Sequence, residues 1–337
     1  MTSPNSSTPE LPILRLGLAG FTREEEAQIC VELAGRATEQ RMAWQVGSLA
    51  DADAWCVNGS RLRRMPGATW RIMPAHRGEE PIRINPDEID WPVAFAMPTG
   101  PADFDPAYRF DLDSSKSIQA VLKQLEGWLR PVMMQFSLAG HIIREDVDLS
   151  TGVYHVTVRG KLYAVVSRRT GIGVWPIANP VHLGEAVWHR RPESADATPG
   201  TFMRVPLVQA MWQYATRTTR DCLPAHYRRK RLYLRRPPSV PMRLLSDRCL
   251  LLVRELSRSP GTFQELMQRT GTPGTDLARQ IAALHVIGCV TANQRRLAEA
   301  GEPGWNSSLP QSQFATDGTG AEPTVRLNWA RRMEALA

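Results

Sequence analysis

Residues 243–297 read RLLSDRCLLLVRELSRSPGTFQELMQRTGTPGTDLARQIAALHVIGCVTANQRRL, and this stretch decides the fold of the C-terminal part of the chain. Apolar residues recur in it at helical spacing. Proline and glycine interrupt the pattern twice, at Ser259-Pro260-Gly261 and at Gly271-Thr272-Pro273-Gly274. Thr262 and Glu265 form a Thr-x-x-Glu capping pattern, which marks the start of a helix. The stretch therefore predicts three short helices with a tight turn before the third.

A short apolar segment follows the third predicted helix. Gly288 ends the helix, and Cys289-Val290-Thr291 then favours a strand. Three helices followed by such a strand resemble a winged-helix domain, in which the third helix and the wing contact DNA. The resemblance implies DNA binding, and the same fold can also serve as a protein-docking module.

The third predicted helix is the element that would read DNA bases. With Leu277, Ile281 and Leu284 buried, its exposed face is expected to show Thr275, Asp276, Arg279, Gln280 and Ala283. Arginine and glutamine are good base readers, whereas an aspartate repels phosphate. We expect Thr275, Arg279 and Gln280 to face DNA and to discriminate only modestly between base sequences.

A strongly basic stretch, HYRRKRLYLRR at residues 226–236, precedes this segment. Its cations are Arg228, Arg229, Lys230, Arg231, Arg235 and Arg236. Clusters of this kind bind phosphate backbones, and Arg295 and Arg296 lie where a wing tip would add further contacts. The alternative is a solvated strand with Leu232 and Leu234 inward and the arginines outward.

Residues 13–130 alternate between short apolar strands and helices. Candidate strands are 14–18, 42–47, 54–57, 70–73 and 93–97, and a helix is predicted over 117–129. This alternation predicts a doubly wound parallel sheet covered on both faces. In size and order the span resembles a response-regulator receiver domain.

The positions that carry receiver chemistry hold other residues in this sequence. Asn58 stands where a receiver has its phospho-accepting aspartate, Gly20-Phe21-Thr22 replaces the acidic pair that binds magnesium, and Met97-Pro98 replaces Lys-Pro after the fifth strand. An amide is a poor nucleophile toward a phosphoryl donor. The resemblance therefore implies a phosphorylation-independent domain that binds a protein partner. The alternative is an unrelated α/β domain of similar size.

The middle region, 131–225, is expected to be a small antiparallel sheet with one helix. Val153–Val166 alternates around Gly160-Lys161 and predicts a hairpin, and Pro206–Thr218 predicts the helix. Residues 191–200 read as a loop or linker. Asp103, Asp105 and Asp111 are expected in a solvated loop, and Asp113 or Ser114 is expected to cap the 117–129 helix.

Motifs for enzymatic or metal chemistry are missing from the sequence. The histidines have no metal-ligand spacing, and neither a nucleophile elbow nor a phosphate-binding Gly-Lys loop occurs. The five cysteines are scattered and are expected to be small buried hydrophobes. We predict no catalytic residue, no cofactor and no metal.

Composition points to a chain in the cytoplasm. No apolar window is long enough to span a bilayer, and MTSPNSSTPELP at the start lacks the order of a secretory signal. The formal net charge of +7 permits an anionic partner.

The predicted fold class is α/β plus α+β, in five segments. They are a disordered 1–12, a receiver-like 13–130, a β-rich 131–225, a basic stretch plus winged helix at 226–298, and a mostly disordered 299–337. The predicted function is that of a non-enzymatic bacterial regulator that binds DNA and, through its receiver-like domain, a protein. The alternative is a signalling adaptor that binds a protein or a cyclic nucleotide instead of DNA.

Overall fold

The computed structural model describes residues 10–40, 43–66, 69–76, 78–85, 89, 91–100, 104, 106–149 and 152–294. These residues form two compact units. The N-terminal unit holds residues 13–129, and the C-terminal unit holds residues 10–12 together with residues from 130 onward. Across the described ranges, no helix is long and apolar enough to cross a membrane. The predicted disordered tail, 299–337, lies outside the described residues.

The N-terminal unit is built on a parallel sheet. The strands of the unit are β1 (Leu14–Ala19), β2 (Trp44–Gly47), β3 (Ala54–Asn58), β4 (Leu62–Arg64), β5 (Trp70–Ile72), β6 (Ile82–Ile84), β7 (Val93–Met97) and β8 (Tyr108–Asp111). Five of them form one sheet in the order β2-β1-β3-β7-β8, and every pair in it is parallel. This order is one of the two common doubly wound orders, so the predicted parallel sheet is confirmed.

Two helices, α1 (Arg23–Gln40) and the first part of α2 (Ser115–Arg144), lie on one face of this sheet. Trp44 pairs with Leu14 in the sheet, and its indole N–H donates to the Glu126 carboxylate of α2 at 3.0 Å. Asn58 lies on the same face at the end of β3, and its amide donates to the Glu25 carboxylate of α1 at 3.2 Å. Because side chains alternate between the two faces of a sheet, the contacts of Trp44 and Asn58 place both helices on the same face.

The opposite face is covered by a second sheet instead of helices. Strands β4, β5 and β6 pair antiparallel, and their buried side chains join the inward residues of the parallel sheet in one apolar cluster: Ala19, Trp55, Val57, Leu62, Ile72, Ile84 and Phe95. The expectation of helices on both faces is therefore wrong. The predicted strand at 70–73 belongs to this small sheet, because a short apolar run does not specify which strand it pairs with.

The fifth strand of the parallel sheet is β8, which was expected to be a solvated loop. Phe110 is buried in it while Asp111 is exposed. As a consequence Met97-Pro98 follows the fourth strand of the sheet and not the fifth.

Helix α2 is much longer than the predicted helix at 117–129. Ser114 caps its start, because the Ser117 amide donates to the Ser114 hydroxyl at 3.3 Å. The helix continues past Pro131 to Arg144, and the division between the two units falls at 129/130. A proline removes one backbone hydrogen bond, and buried residues on both sides, Leu129 and Met133, continue the apolar face.

The C-terminal unit contains the second part of α2 and, after it, a five-stranded antiparallel sheet. Its strands are β9 (Val153–Val158), β10 (Lys161–Ser167), β11 (Gly171–Val174), β12 (Val187–Arg191) and β13 (Met203–Val205), in the order β12-β9-β10-β11-β13, followed by helix α3 (Leu207–Arg217). The predicted hairpin and helix are both confirmed. Gly160 takes the left-handed conformation of the hairpin turn, with φ 77°.

The predicted linker at 191–200 packs onto one face of this sheet. The ring Nε2 of His155 lies 3.0 Å from the Ala195 carbonyl oxygen, and Arg169 forms an ion pair with Asp196. Gly173 has no side chain at the point where the Thr198 methyl approaches. These contacts make the segment part of the folded unit.

The rest of the unit contains the segment predicted to hold three helices. Strand β14 (Tyr233–Leu234) precedes helices α4 (Asp247–Arg258), α5 (Phe263–Thr270) and α6 (Gly274–Val286), and β15 (Val290–Thr291) follows them. The three helices are confirmed, as is the capping box of Thr262 and Glu265. Gly271 ends α5 in the left-handed conformation, with φ 61°. Buried residues from 134 to 290 form one apolar core, so residues on both sides of position 225 share it.

Candidate nucleic-acid interface

The basic stretch 226–236 is fixed to the core by two buried side chains. Tyr227 is buried, its ring centroid lies 4.5 Å from that of His285, and its hydroxyl donates to the Val290 carbonyl at 3.4 Å. Leu232 is fully buried, and its amide donates to the Gly261 carbonyl at 2.8 Å. The chain between Tyr227 and Leu232 is therefore anchored at both ends.

Two cations of this stretch are held by acidic residues of the same chain. Arg228 forms a 2.7 Å ion pair with Asp221, and its guanidinium carbon lies 5.6 Å from the Phe263 ring centroid. Hydrogen bonding to Arg228 lowers the pKa of Asp221. Arg231 forms a 3.3 Å ion pair with Glu265 at the start of α5. Both positive charges are partly neutralised before any ligand arrives.

Arg235 and Arg236 are half-buried and face the folded unit. Arg236 donates to the Ile287 carbonyl at 2.9 Å, and the Arg235 amide donates to the Cys289 carbonyl at 2.7 Å. The Arg235 Nε is buried and finds no hydrogen-bond partner in the part of the chain that the structure describes. The solvated-strand alternative placed all the arginines outward, which is wrong for Arg235 and Arg236. It also placed Leu232 inward, and the burial of Leu232 agrees with that.

Arg229 and Lys230 are the most available cations of the stretch. Both are exposed, and their amides donate to the His226 carbonyl at 3.2 and 3.0 Å, which fixes the turn they occupy. Within the described part of the chain, neither side chain makes a hydrogen bond or an ion pair. They present two adjacent positive charges to solvent.

Helix α6 is more covered than the sequence suggested. Thr275 and Arg279 are exposed as predicted. Ala283 is fully buried, and the Gln280 Oε1 is buried without a hydrogen-bond partner within the described ranges. Asp276 accepts from Arg248 at 2.6 Å. The predicted reading face is therefore wrong at Ala283 and at the amide oxygen of Gln280.

The cover of α6 comes in part from α3, which packs against it. Ala278 and Ala282 are both buried. The Trp212 indole N–H of α3 donates to the Leu244 carbonyl at 3.1 Å, which fixes α3 to the chain just before α4. Among the described residues, the strip left open on α6 centres on the exposed Thr275 and Arg279, with Asp276 and Gln280 partly exposed beside them.

The two arginines predicted at the wing tip, Arg295 and Arg296, lie outside the described residues. The last described residue is Gln294, and the Tyr233 hydroxyl donates to its side-chain oxygen at 3.5 Å. Tyr233 pairs with Thr291 in the β14–β15 ladder. The contribution of both arginines stays a prediction.

The N-terminal unit contains cations that the sequence analysis did not single out. Arg63, Arg71 and Arg83 are the middle residues of β4, β5 and β6. The repeated arginine inside short apolar triplets, Leu-Arg-Arg, Trp-Arg-Ile and Ile-Arg-Ile, was the signal that could have found them. Their alignment depends on the pairing of three strands, which no local pattern specifies.

Asn58 occupies the carboxyl end of the third strand of the parallel sheet. It is buried, its amide contacts the Glu25 carboxylate, and its Oδ1 accepts from the amide and the hydroxyl of Ser60 at 3.1 and 2.7 Å. Every polar atom of this side chain is engaged, so Asn58 has a structural role in these contacts.

The described residues contain no group of three or more His, Cys, Asp or Glu side chains that could hold a metal ion. Cys56, Cys249 and Cys289 are buried, Cys222 is half-buried, and Cys30 is exposed. Burial raises the pKa of Cys56 and of Cys249 to about 12, which keeps both thiols protonated and unreactive. The prediction of buried cysteines holds for three and is wrong for Cys30.

No protein family, no curated protein and no solved structure matches the chain. The residues themselves therefore carry the functional inference.

Proposed function

We propose that this chain is a non-enzymatic regulatory protein whose C-terminal unit binds DNA mainly through the phosphate backbone. The observation that carries the proposal is the Arg229–Lys230 pair, exposed and without a charge partner in the described chain. Both residues lie in a turn anchored by the buried Tyr227 and Leu232. Anchoring lowers the ordering cost of binding, because the backbone that carries the two charges is already fixed.

The neighbouring charges support this interface more weakly. Arg228 and Arg231 flank the pair, and each is already paired with a carboxylate, Asp221 or Glu265. A phosphate that replaced one of these carboxylates would exchange one ion pair for another. We therefore assign most of the binding to Arg229 and Lys230, with Arg295 and Arg296 as further predicted contacts.

The open strip of α6 limits how much sequence the protein would read. Thr275 and Arg279 are exposed, but base readout in the major groove needs several side chains along one helix face. Buried Ala283 and the buried Gln280 Oε1 remove much of that face. We therefore propose binding that depends strongly on salt and weakly on DNA sequence.

We assign the N-terminal unit a role that does not need phosphorylation. Asn58 is buried and held between Glu25 and Ser60, and an amide is a poor phosphoryl acceptor. A receiver-like unit of this kind would transmit a signal through a protein partner, in accord with the order of its parallel sheet.

The test is the salt dependence of DNA binding by the full chain carrying Arg229→Gln and Lys230→Gln. The slope of log affinity against log salt should flatten by about 1.8, at about 0.9 for each lost phosphate contact. The matched control is Lys161→Gln with Arg204→Gln, which removes the same charge from two exposed residues of the same unit that form no ion pair in the described chain. A double variant that behaves like this control would overturn the proposed interface.

A second candidate function, a signalling adaptor, is favoured by the packing of α3 on α6. In this alternative the covered winged-helix-like segment does not contact DNA, and the exposed cations bind an acidic protein or a cyclic nucleotide. An electrophoretic shift with genomic fragments at near-physiological salt separates the candidates. No shift, together with a calorimetric signal on addition of a cyclic nucleotide or an acidic partner protein, would favour the adaptor.

A further inference from the structure

The small sheet β4–β6 has one apolar face and one basic face. Leu62, Ile72 and Ile84 are buried on the apolar face. Side chains alternate between the two faces of a strand, so the residues between them point the other way. The outward residues are Arg63, Arg71 and Arg83.

These three arginines form a row across the sheet. Arg63 is directly opposite Arg71, and Arg71 is directly opposite Arg83. Neighbouring strands lie about 4.8 Å apart, so the row extends over about 10 Å of backbone. Arg63 and Arg83 are exposed, and Arg71 is half-buried between them.

No described carboxylate neutralises this row. Among the residues that the structure describes, none of the three arginines takes part in an ion pair. Arg63 donates from Nη1 to the carbonyls of Ser60 and Leu62, at 2.9 and 3.0 Å. The Arg71 Nε is buried and has no hydrogen-bond partner among the described residues.

The row opposes folding in two independent ways. Like charges directly opposite each other in an antiparallel pair are destabilising, and here two such pairs are adjacent. A buried donor without a partner adds a desolvation cost. The first cost falls when an anion lies along the row, because the anion neutralises the charges and can accept from the exposed Arg63 and Arg83.

We infer that this outer face binds the phosphate backbone of a nucleic acid strand. Arginine matches phosphate geometry with two parallel N–H donors. Three cations spaced evenly along a line suit a ligand with repeating charges, whereas sites for small ligands are concave and converge on one point. The ligand class is the one proposed for the C-terminal unit, but the residues are different, so either site can fail alone.

The test compares full-length variants binding a fluorescent single strand and a duplex over a range of salt. Replacing Arg63, Arg71 and Arg83 together by Gln should flatten the slope of log affinity against log salt by about 2 to 3, at about 0.7 to 0.9 per lost contact. The control replaces Arg23, Lys116 and Lys123 by Gln, which removes the same charge from exposed positions on α1 and α2.

Two further measurements separate binding from folding. The Gln triple variant should melt at the same temperature as the wild type or higher, because its like-charge row is gone. A triple Lys variant at the same positions should keep most of the salt slope, because lysine retains the charge.

An unchanged slope in the Gln triple variant would overturn this inference, and so would binding of pyrophosphate without binding of nucleic acid. If Arg229→Gln with Lys230→Gln flattens the slope while the Gln triple variant does not, the proposed function stands and this inference fails. The converse result keeps this site and rejects the C-terminal one.

Discussion

Glu10 should be one of the strongest single contributors to the stability of the C-terminal unit. Its carboxylate accepts from the Tyr214 hydroxyl at 2.8 Å and from the Thr218 hydroxyl at 2.6 Å. It also accepts from the Thr219 amide at 3.3 Å and forms a 3.1 Å ion pair with Arg220. One side chain thus satisfies four donors around the C-terminal end of α3.

The magnitude follows from what Glu10→Ala would leave behind. Tyr214 and Thr218 are buried, and each unsatisfied buried donor costs about 1–3 kcal/mol. Burial raises the pKa of Tyr214 to about 12, so its hydroxyl stays a donor near neutral pH. Arg220 is half exposed, and such a pair contributes less than about 1 kcal/mol. Because water can replace part of the lost bonding, we expect a total loss of about 2–4 kcal/mol.

The assay is hydrogen exchange measured by mass spectrometry, because two compact units can unfold separately and a single transition would mix them. Amides of α3 should exchange roughly 30-fold faster or more in Glu10→Ala, since each 1.4 kcal/mol is about tenfold. Glu10→Gln keeps one acceptor oxygen and should give an intermediate change. The control is Glu193→Ala, an exposed glutamate of the same unit. A loss below about 0.5 kcal/mol in Glu10→Ala, within the usual range for surface changes, would refute this reasoning.

Three further outcomes are expected. Gly173→Val should destabilise the C-terminal unit by about 1–3 kcal/mol in urea unfolding, because its side chain would overlap Thr198. Thr262→Ala should lower the free energy of unfolding by about 0.5–2 kcal/mol in the same titration, because it removes the cap of α5. Burial lowers the pKa of His141, so the unfolded chain takes up the proton first. The free energy of unfolding should therefore fall as pH drops below about 6.5, and less so in His141→Gln.

Each of these outcomes has a matched control. Gly200→Ala should be near neutral, because nothing lies within 4 Å of the added carbon. Gln264→Ala changes an exposed residue of α5 outside its capping box. His226→Gln changes an exposed histidine of the same unit. If Gly173→Val or Thr262→Ala has the same free energy of unfolding as its control, the predicted effect of that position is wrong. If His141→Gln keeps the wild-type pH dependence, the effect assigned to His141 is wrong.

Local signals predicted the helices near the C-terminus well. The capping box at Thr262 and the left-handed Gly271 depend on residues three or fewer positions apart, so the sequence contains all the required information. The hairpin at Gly160 was predicted for the same reason. The predicted helix ended at 129, whereas α2 continues through Pro131 to Arg144.

Pairing between distant segments could not be predicted. Trp70–Ile72 has the pattern of any short strand, and only its partners place it in the antiparallel sheet. The same limit applies to the candidate site. A run of arginines does not show that Arg228 meets Asp221 or that Arg231 meets Glu265. Ala283 was expected at the surface because Leu277, Ile281 and Leu284 defined the buried face, and no local pattern shows that α3 also packs against α6.

The central claim is that the protein binds DNA through phosphates with little reading of bases. The most direct measurement is the affinity of the full chain for two duplexes of unrelated sequence, titrated over a range of salt. We predict affinities that agree within a few fold and that fall together as salt rises, with a slope that Arg229→Gln and Lys230→Gln flatten. The claim would be contradicted if the chain did not bind DNA at low salt. A preference of about 10³-fold or more for one duplex would also contradict it, because specific binding exceeds non-specific binding by about that factor or more.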